Sequence, residues 1–536
     1  MSEKIMGKKI AVIGAGLSGL ATIKELVEEG HDVVCFEKNN DIGGVFSDLG
    51  TNYDSLHLTA SNYFMAYSDF MPYHEKIRFW TRQEYKEYLD QYSIHFDLLK
   101  NIKFNYLVEE VKLLDNGLSL TVKDITTGAC ETQYFDSLAV CSGQFQKPNI
   151  PEIIGLNKFP GKVLHSSEYK NPEQCKSLLG GKRVLCLGMG ESAADIVTEI
   201  AEIAGNTTLS LRRYHLFAPK YIDKDKPIDV LQTRFWHSLP ANKKSSLVRD
   251  SWRYFLTSQY EPDKLSAQHM LAAPDEPGSV VTKTERIFDA VAKGMEIDIG
   301  GIQEISGSTV LFNSGRKEEF DVIVFCTGFK FHLPFLNSEL YFEDIRDCYL
   351  QVFHPSFRDK IAFIGFIRPT QGGIPLISEL QARYYALVLS AKRSLPENLE
   401  ILAQQDKAKW KNEFYETPNV FGLVNGVRYN DGIAELIGCR PPRPLFIKSP
   451  IKFCVYWFHH VWPCQYRLIG PSSRESAHEK WTLAPTSLFN STDPLKLKLS
   501  AYKGSLKNLF LFWFKSQFAK DKKEQWRPIF KSKPRA

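Results

Sequence analysis

Lys9-Ile10-Ala11-Val12-Ile13 runs without a break into Gly14-Ala15-Gly16-Leu17-Ser18-Gly19. The short apolar run predicts a strand buried in a parallel sheet, and the spaced glycines predict a tight turn into a helix over Leu17–Val27. Gly14 permits the turn, Gly16 lets backbone approach a pyrophosphate, and Gly19 lets the helix pack close on the sheet. The unpaired amides at the helix start then favour phosphate. Asp32-Val33-Val34-Cys35-Phe36 predicts a second strand ending at Glu37. An acid there hydrogen-bonds both ribose hydroxyls and repels a 2′-phosphate, which suits FAD or NAD rather than NADP. Gly43 and Gly44 follow, either admitting a phosphate or flavin closely or forming a simple turn.

The same grammar returns more than 170 residues later. Arg183-Val184-Leu185-Cys186-Leu187 leads into Gly188-Met189-Gly190-Glu191-Ser192-Ala193, with a helix from Ser192 to Ile203. Ala193 takes the third glycine's place and is small enough for the same packing. The next strand, Thr207–Leu211, ends in Arg212-Arg213 where the first unit has an acid. Two guanidiniums at the ribose end favour a 2′-phosphate by charge and bidentate geometry. The pair Glu37 against Arg212 and Arg213 therefore assigns FAD to the first fingerprint and NADPH to the second.

Two further strands, Phe135–Val140 before Cys141-Ser142-Gly143 and Phe320–Val324 before Phe325-Cys326-Thr327-Gly328, end alike in small residues. Each carries the chain between domains past a cofactor. The expected fold is α/β, with two Rossmann-like dinucleotide-binding domains and the NADP domain inserted into the FAD domain. Its expected division is 1–155 for the first part of the FAD domain and 156–325 for the NADP domain. Residues 326–495 supply the second FAD part with substrate-pocket elements, and 496–536 a basic aromatic tail. A chain of 536 residues exceeds one core, as this division requires.

Composition is that of a folded enzyme, 43% hydrophobic and 24% charged. Ten scattered cysteines with no CxxC pair argue against a disulfide framework, a structural zinc site and a flavin disulfide reductase. No metal site is expected. The polar start lacks a signal peptide's apolar region, so a cytoplasmic setting is expected. Residues 496–536 carry twelve Lys or Arg against two acids and contain Leu509-Phe510-Leu511-Phe512-Trp513-Phe514 between Lys507 and Lys515. Six residues are too few to span a bilayer. The tail is compatible with peripheral contact on the cytosolic face of an anionic membrane, or with packing on the protein body. No base-reading module accompanies it, so nucleic acid is not an expected partner. A homo-oligomer is compatible with these features.

Phe159-Pro160-Gly161-Lys162-Val163-Leu164-His165-Ser166-Ser167-Glu168-Tyr169 matches FxGxxxHxxxY at every specified position. With both fingerprints, Cys141-Ser142-Gly143, Phe325-Cys326-Thr327-Gly328-Phe329 and the C-terminal Gln465-Tyr466-Arg467-Leu468, the chain resembles the animal-type flavin-containing monooxygenases over nearly its whole length. The resemblance implies NADPH reducing FAD, and O₂ then forming a C4a-hydroperoxyflavin whose distal oxygen is attacked by a soft nitrogen or sulfur nucleophile. Oxygen and a small nucleophilic organic substrate are thus the implied partners. Three departures stand out. Thr59-Ala60-Ser61-Asn62-Tyr63-Phe64 occupies the place of the family's Thr-Asn-x-Ser-Lys-Glu, so Asn62 becomes the candidate catalytic partner of flavin or substrate, two positions on. Glu191 replaces an Asn of the second fingerprint, and Val45-Phe46 replaces a pair ending in Trp. Gln371-Gly372-Gly373-Ile374-Pro375 precedes a helix expected near Leu376, whose amides would face the flavin's pyrimidine edge. Tyr169 followed by Lys170 argues against a Baeyer–Villiger enzyme, whose related motif usually has Trp there. That chemistry, a specialised N-hydroxylase, a decarboxylating monooxygenase and a non-catalytic flavoprotein remain the alternatives.

Overall fold

The computed structural model describes residues 7–73, 75–213, 216–218, 220–223, 226–239, 281–284, 286–370, 372–414, 422–445, 447–477 and 481. Two five-stranded parallel sheets organise it. In the first, β1 (Lys9–Ile13) is central, with Asp32–Glu37 and then Ile102–Phe104 on one side and Ser137–Val140 and then Ile361–Phe363 on the other. In the second, Arg183–Leu187 is central, with Asn206–Leu211 and then Glu296–Ile299 on one side and Val322–Phe325 and then Lys162–His165 on the other.

Both sheets are clad alike. One face of the first packs on the helices Leu17–Glu28 and Ile374–Leu389, and the other on the antiparallel strands Tyr106–Leu114, Gly117–Asp124 and Cys130–Phe135. The second carries the helices Glu191–Ile203 and Arg286–Ala292 on one face and three short antiparallel strands between Ile302 and Glu319 on the other. Cover on both faces explains why the central strands read as unbroken apolar runs. The second sheet is drawn wholly from residues 162–325, and Ile361–Phe363 then returns to the first. This is the two-Rossmann architecture that the paired fingerprints predict.

The helix at the third glycine-rich segment begins at Ile374, with Gly373 as its N-cap and Pro375 in its first turn, rather than near Leu376. Proline is tolerated there because a first-turn N–H has no helical partner to lose. Among the described residues no helix is long and apolar enough to cross a membrane. The tail with Leu509–Phe514 lies outside the described residues. Among the described residues no cluster of His, Cys, Asp and Glu is arranged to hold a metal ion.

Candidate functional site

The first glycine turn is built by its neighbours. Gly14 has φ +98°, and its N–H donates to Phe36 O at 2.9 Å, tying the turn to the second strand. A Cβ at Gly14 would lie 2.9 Å from the Cys141 carbonyl oxygen, and one at Gly19 would overlap Gly14's own carbonyl oxygen. Gly16 is the helix N-cap with extended backbone. Gly43 and Gly44, at φ +103° and +59°, close on this turn from outside. Gly43 N–H donates to Ala15 O at 3.0 Å, and a Cβ on Gly44 would stand 3.2 Å from Gly16 Cα. Glu37 is buried, with Oε2 accepting from Ala15 N–H at 2.8 Å and Oε1 from Asn39 N–H at 2.9 Å. A carboxylate oxygen has a second lone pair, so Glu37 can brace the turn and still accept from a ribose.

The second turn repeats the geometry. Gly188 has φ +97°, and a Cβ there would stand 2.6 Å from the Cys326 carbonyl oxygen. Gly190 is the extended N-cap of the helix Glu191–Ile203, and a Cβ on it would meet nothing within 4 Å. Ser192 is exposed on the first turn of that helix. Arg212, exposed, and Arg213, half-buried, follow the end of the strand Asn206–Leu211, as Glu37 ends its counterpart. These cradles fit two dinucleotides: bare backbone at both helix starts, an acid beside the first and two guanidiniums beside the second. Gln371 lies outside the described residues.

Asn62 has a different surrounding from the one its motif position suggests. Its side chain is fully buried. Nδ2 donates to Lys76 O at 3.0 Å and to a Glu75 carboxylate oxygen at 3.5 Å, and Oδ1 accepts from Tyr63 and Arg78 N–H at 3.1 Å each. The amide is spent on holding the 59–64 loop to the turn after it, which corrects its reading as a group aimed at flavin or substrate. Gly373 explains why the loop must be held. A Cβ there would overlap Phe64 O, so the start of the helix Ile374–Leu389 abuts this loop. The same helix joins the first fingerprint through Ser378 Oγ, 2.9 Å from Ser18 Oγ.

The second domain grips the same loop. Ser61 N–H donates to Asp229 Oδ2 at 2.5 Å, and Lys283 Nζ donates to Thr59 O. Lys283 N–H in turn donates to Glu191 Oε2 at 3.1 Å, at the start of the second nucleotide helix. Tyr53 OH donates to Asp195 Oδ2 at 2.8 Å, and Asp54 N–H to Lys170 O at 2.9 Å. Burial raises the carboxyls of Asp229 and Glu191 above their ordinary range, although Lys283 opposes both. His165 of the FxGxxxHxxxY segment spans the domain crossing. Its Nε2 pairs with Gly328 O at 2.9 Å while Nδ1 accepts from Ser167 N–H at 3.2 Å, which fixes the Nε2–H tautomer. Trp462 and its neighbours close the far side, with the Trp462 ring 4.7 Å from Phe64 and 5.3 Å from Tyr63.

Residues 7–513 match the flavin-binding monooxygenase-like family. Two 4-hydroxybenzoate brominases (decarboxylating) are similar to the chain. That of Marinomonas mediterranea is 42% identical over 476 residues, covering 87% of this chain and 90% of the relative. That of Pseudoalteromonas luteoviolacea is 40% identical, covering 89% and 93%. Flavin-containing monooxygenase 3 of Homo sapiens is 31% identical, covering 87% and 90%. Among solved structures, cyclohexanone monooxygenase bound to ε-caprolactone superposes with a TM-score of 0.60 at 18% identity, covering 81% of this chain and 98% of that one. S-allyl-L-cysteine S-oxygenase from Allium sativum gives 0.58 at 21%, covering 81% and 89%.

Proposed function

The chain belongs to the flavin-binding monooxygenase-like family, as an FAD- and NADPH-dependent monooxygenase, and we propose that it halogenates an electron-rich hydroxylated aryl carboxylate with loss of CO₂. The observation that carries this reading is the pair of decarboxylating 4-hydroxybenzoate brominases at 42% and 40% identity over almost the whole chain. The animal-type relatives stand about ten points lower.

The balance is complete with the family's own reactants. One NADPH, one O₂, one bromide, the aryl carboxylate and three protons give NADP⁺, two waters, CO₂ and the bromoarene. FAD, when bound, accepts the hydride and activates oxygen. The chain's residues bind and orient. Gly14, Gly16, Gly19, Gly43 and Gly44 admit the flavin nucleotide, with Glu37 at its ribose. Gly188, Gly190 and Ser192 admit NADPH, with Arg212 and Arg213 at its 2′-phosphate. Asn62 fixes the loop beside the flavin, and Gln371 precedes the helix whose amides face it. Trp462, Tyr63 and Phe64 exclude water on the apolar side.

The second reading is oxygenation of a soft amine or sulfide. It draws on the intact FxGxxxHxxxY segment and on the likeness to flavin-containing monooxygenase 3. Baeyer–Villiger oxidation of a ketone is the third. One experiment separates them. Purified holoenzyme is given NADPH and O₂ with 4-hydroxybenzoate and bromide, and in parallel with amine, sulfide and ketone panels, and products are identified by mass. Bromophenols are expected. An N-oxide or S-oxide, with no bromination, would transfer the protein to the second reading, and a lactone or ester to the third.

A further inference from the structure

Arg368 stands on a two-residue strand, Arg368–Pro369, paired with Leu423–Val424 and pinned by its own N–H to Gly422 O at 2.9 Å. Its backbone runs beside the flavin loops. Three residues earlier, Gly365 is pressed against Ser18 of the first glycine turn, and five residues later Gly373 is pressed against Phe64. From the opposite domain, Glu191 acts on it electrostatically. Arg368 thus sits where the two nucleotide units converge. It is partly buried, yet among the described residues its guanidinium donates no hydrogen bond.

Glu191 is a charged neighbour of Arg368 and not a partner, since no hydrogen bond or ion-pair contact joins the two side chains and Lys283 N–H is what its Oε2 accepts from. Lys283 is not a rival cation, since its ammonium is committed to Thr59 O. What remains is one half-buried planar fork of donors at the meeting of the cofactor sites. A carboxylate matches that fork with two parallel hydrogen bonds, and a neutral group does not.

We propose that Arg368 is the residue that receives the substrate's carboxylate and so selects aryl acids over neutral phenols. This rests on the aryl-carboxylate reading above and names the group that recognises it.

The test uses FAD-loaded protein and follows perturbation of the flavin spectrum as 4-hydroxybenzoate, benzoate or 4-hydroxybenzyl alcohol is added. Wild type is expected to bind the two acids tighter than the alcohol by on the order of tenfold or more. Arg368→Gln should erase that preference while leaving alcohol binding, FAD content and the KM for NADPH unchanged. Arg368→Lys, which keeps the charge without the fork, should retain part of it. The proposal is overturned if Arg368→Gln keeps the preference, if its only effect is a raised KM for NADPH, if wild type shows no preference, or if neither variant retains FAD. Acid selectivity through Arg368 with no bromophenol formed would sink the bromination reading and leave the carboxylate receptor standing.

Discussion

Gly14 and Gly188 turn the chain at φ +98° and +97°, and each lies against the carbonyl of the cysteine that follows the neighbouring strand. Cys141 N–H reaches back to Ile13 O at 2.9 Å, and Cys326 N–H to Leu187 O at 2.8 Å. Around these copies of one turn, the side chains diverge. The first unit has Gly19 where the second has Ala193, Leu17 where the second has Glu191, and Glu37 where the second has Leu211, with Arg212 one residue further on. The shared part is what a parallel strand needs to turn into a helix beneath a pyrophosphate. The divergent part decides how near the helix lies, what charge meets the nucleotide and which ribose is accepted.

The sharpest break would come at the third glycine position. A Cβ at Gly19 overlaps the Gly14 carbonyl, which is backbone of the turn itself, whereas Ala193 already carries a Cβ and is buried. Gly19→Ala should therefore abolish flavin retention, read as loss of visible absorbance in the purified protein. Ala193→Gly should cost only about 1 kcal/mol in a helix and leave NADPH oxidation intact. A fully yellow Gly19→Ala protein would show that the two helices sit equally far from their sheets.

Charge burial separates the units next. In the first, Arg467 is wholly buried and reaches Glu25 at 2.5 Å, Glu379 at 2.9 Å and Asp69 at 3.1 Å, with Lys24 also on Glu25 at 3.0 Å and Asp69 at 2.5 Å. This cluster ties the first nucleotide helix to the helix Ile374–Leu389 and the C-terminal segment. The second helix is tied by hydroxyl–carboxylate pairs, Tyr53 to Asp195 and Tyr169 to Glu199 at 2.8 Å each, with longer ion pairs from Lys220 and Arg286 to the same carboxylates. Arg467→Ala takes the central cation from three buried carboxylates, leaving Glu25 and Asp69 to Lys24, and Glu379 with only the longer ion pair to Arg383, and should lower stability by about 3–5 kcal/mol, measured by urea unfolding. Tyr169→Phe should cost about 1 kcal/mol. Burial raises Glu25 and Asp69, but Arg467 and Lys24 outweigh it, so both carboxyls lie below their ordinary values. Their contribution is complete above the usual carboxylate range and is lost as pH falls through the lowered values. Glu379, raised by burial, runs in the opposite sense. Unfolding midpoints that stay constant as pH falls from above the usual carboxylate range to below it would disprove the coupling.

These contrasts were legible in the sequence to the extent that they are local. Each glycine turn, its strand and its ribose-end residue fall within about 30 consecutive positions, so spacing alone identifies them. The contacts that join the domains are not local. Tyr53 meets Asp195, Ser61 meets Asp229, and Thr59 meets Lys283. No periodicity marks such partners, and a single Asp or Lys reads as a solvated surface charge. Asn62 misled for the same reason. Its place in the motif was visible, but the Lys76 and Arg78 backbone groups that consume its amide become neighbours only when the loop folds back. Arg467 stood inside a recognisable segment, yet nothing adjacent in the chain announces that four charges from three distant segments surround it.

Replacing the ribose-end arginines tests the cofactor assignment. Arg212→Ala with Arg213→Ala removes charge-assisted hydrogen bonds worth about 1.5–3 kcal/mol. The KM for NADPH should rise roughly ten- to hundredfold, while that for NADH barely changes. An equal loss with both nucleotides would mean that the pair supports the fold rather than the 2′-phosphate.

The smallest effect lies at the helix starts, where the first unit has Leu17 and the second has Glu191. An N-terminal turn favours an anion, and Glu191 supplies one before any nucleotide arrives. The pyrophosphate of NADPH then meets a carboxylate already at its binding site. Burial holds that carboxyl above its ordinary range, with Lys283, Arg368 and Lys220 pulling the other way. The sign follows directly. As pH falls through the raised value, Glu191 takes up a proton, the repulsion disappears and NADPH binds more tightly. Protonation of the 2′-phosphate weakens binding over part of the same range, but equally in wild type and Glu191→Gln. The ratio of their KM values isolates the carboxylate. It should be roughly two- to fivefold near neutrality, the worth of one charge at a helix start, and should approach one under acid conditions. A ratio that stays constant with pH would mean that Glu191 serves only to anchor Lys283. The difference between the helix starts would then concern the domain joint rather than the nucleotide.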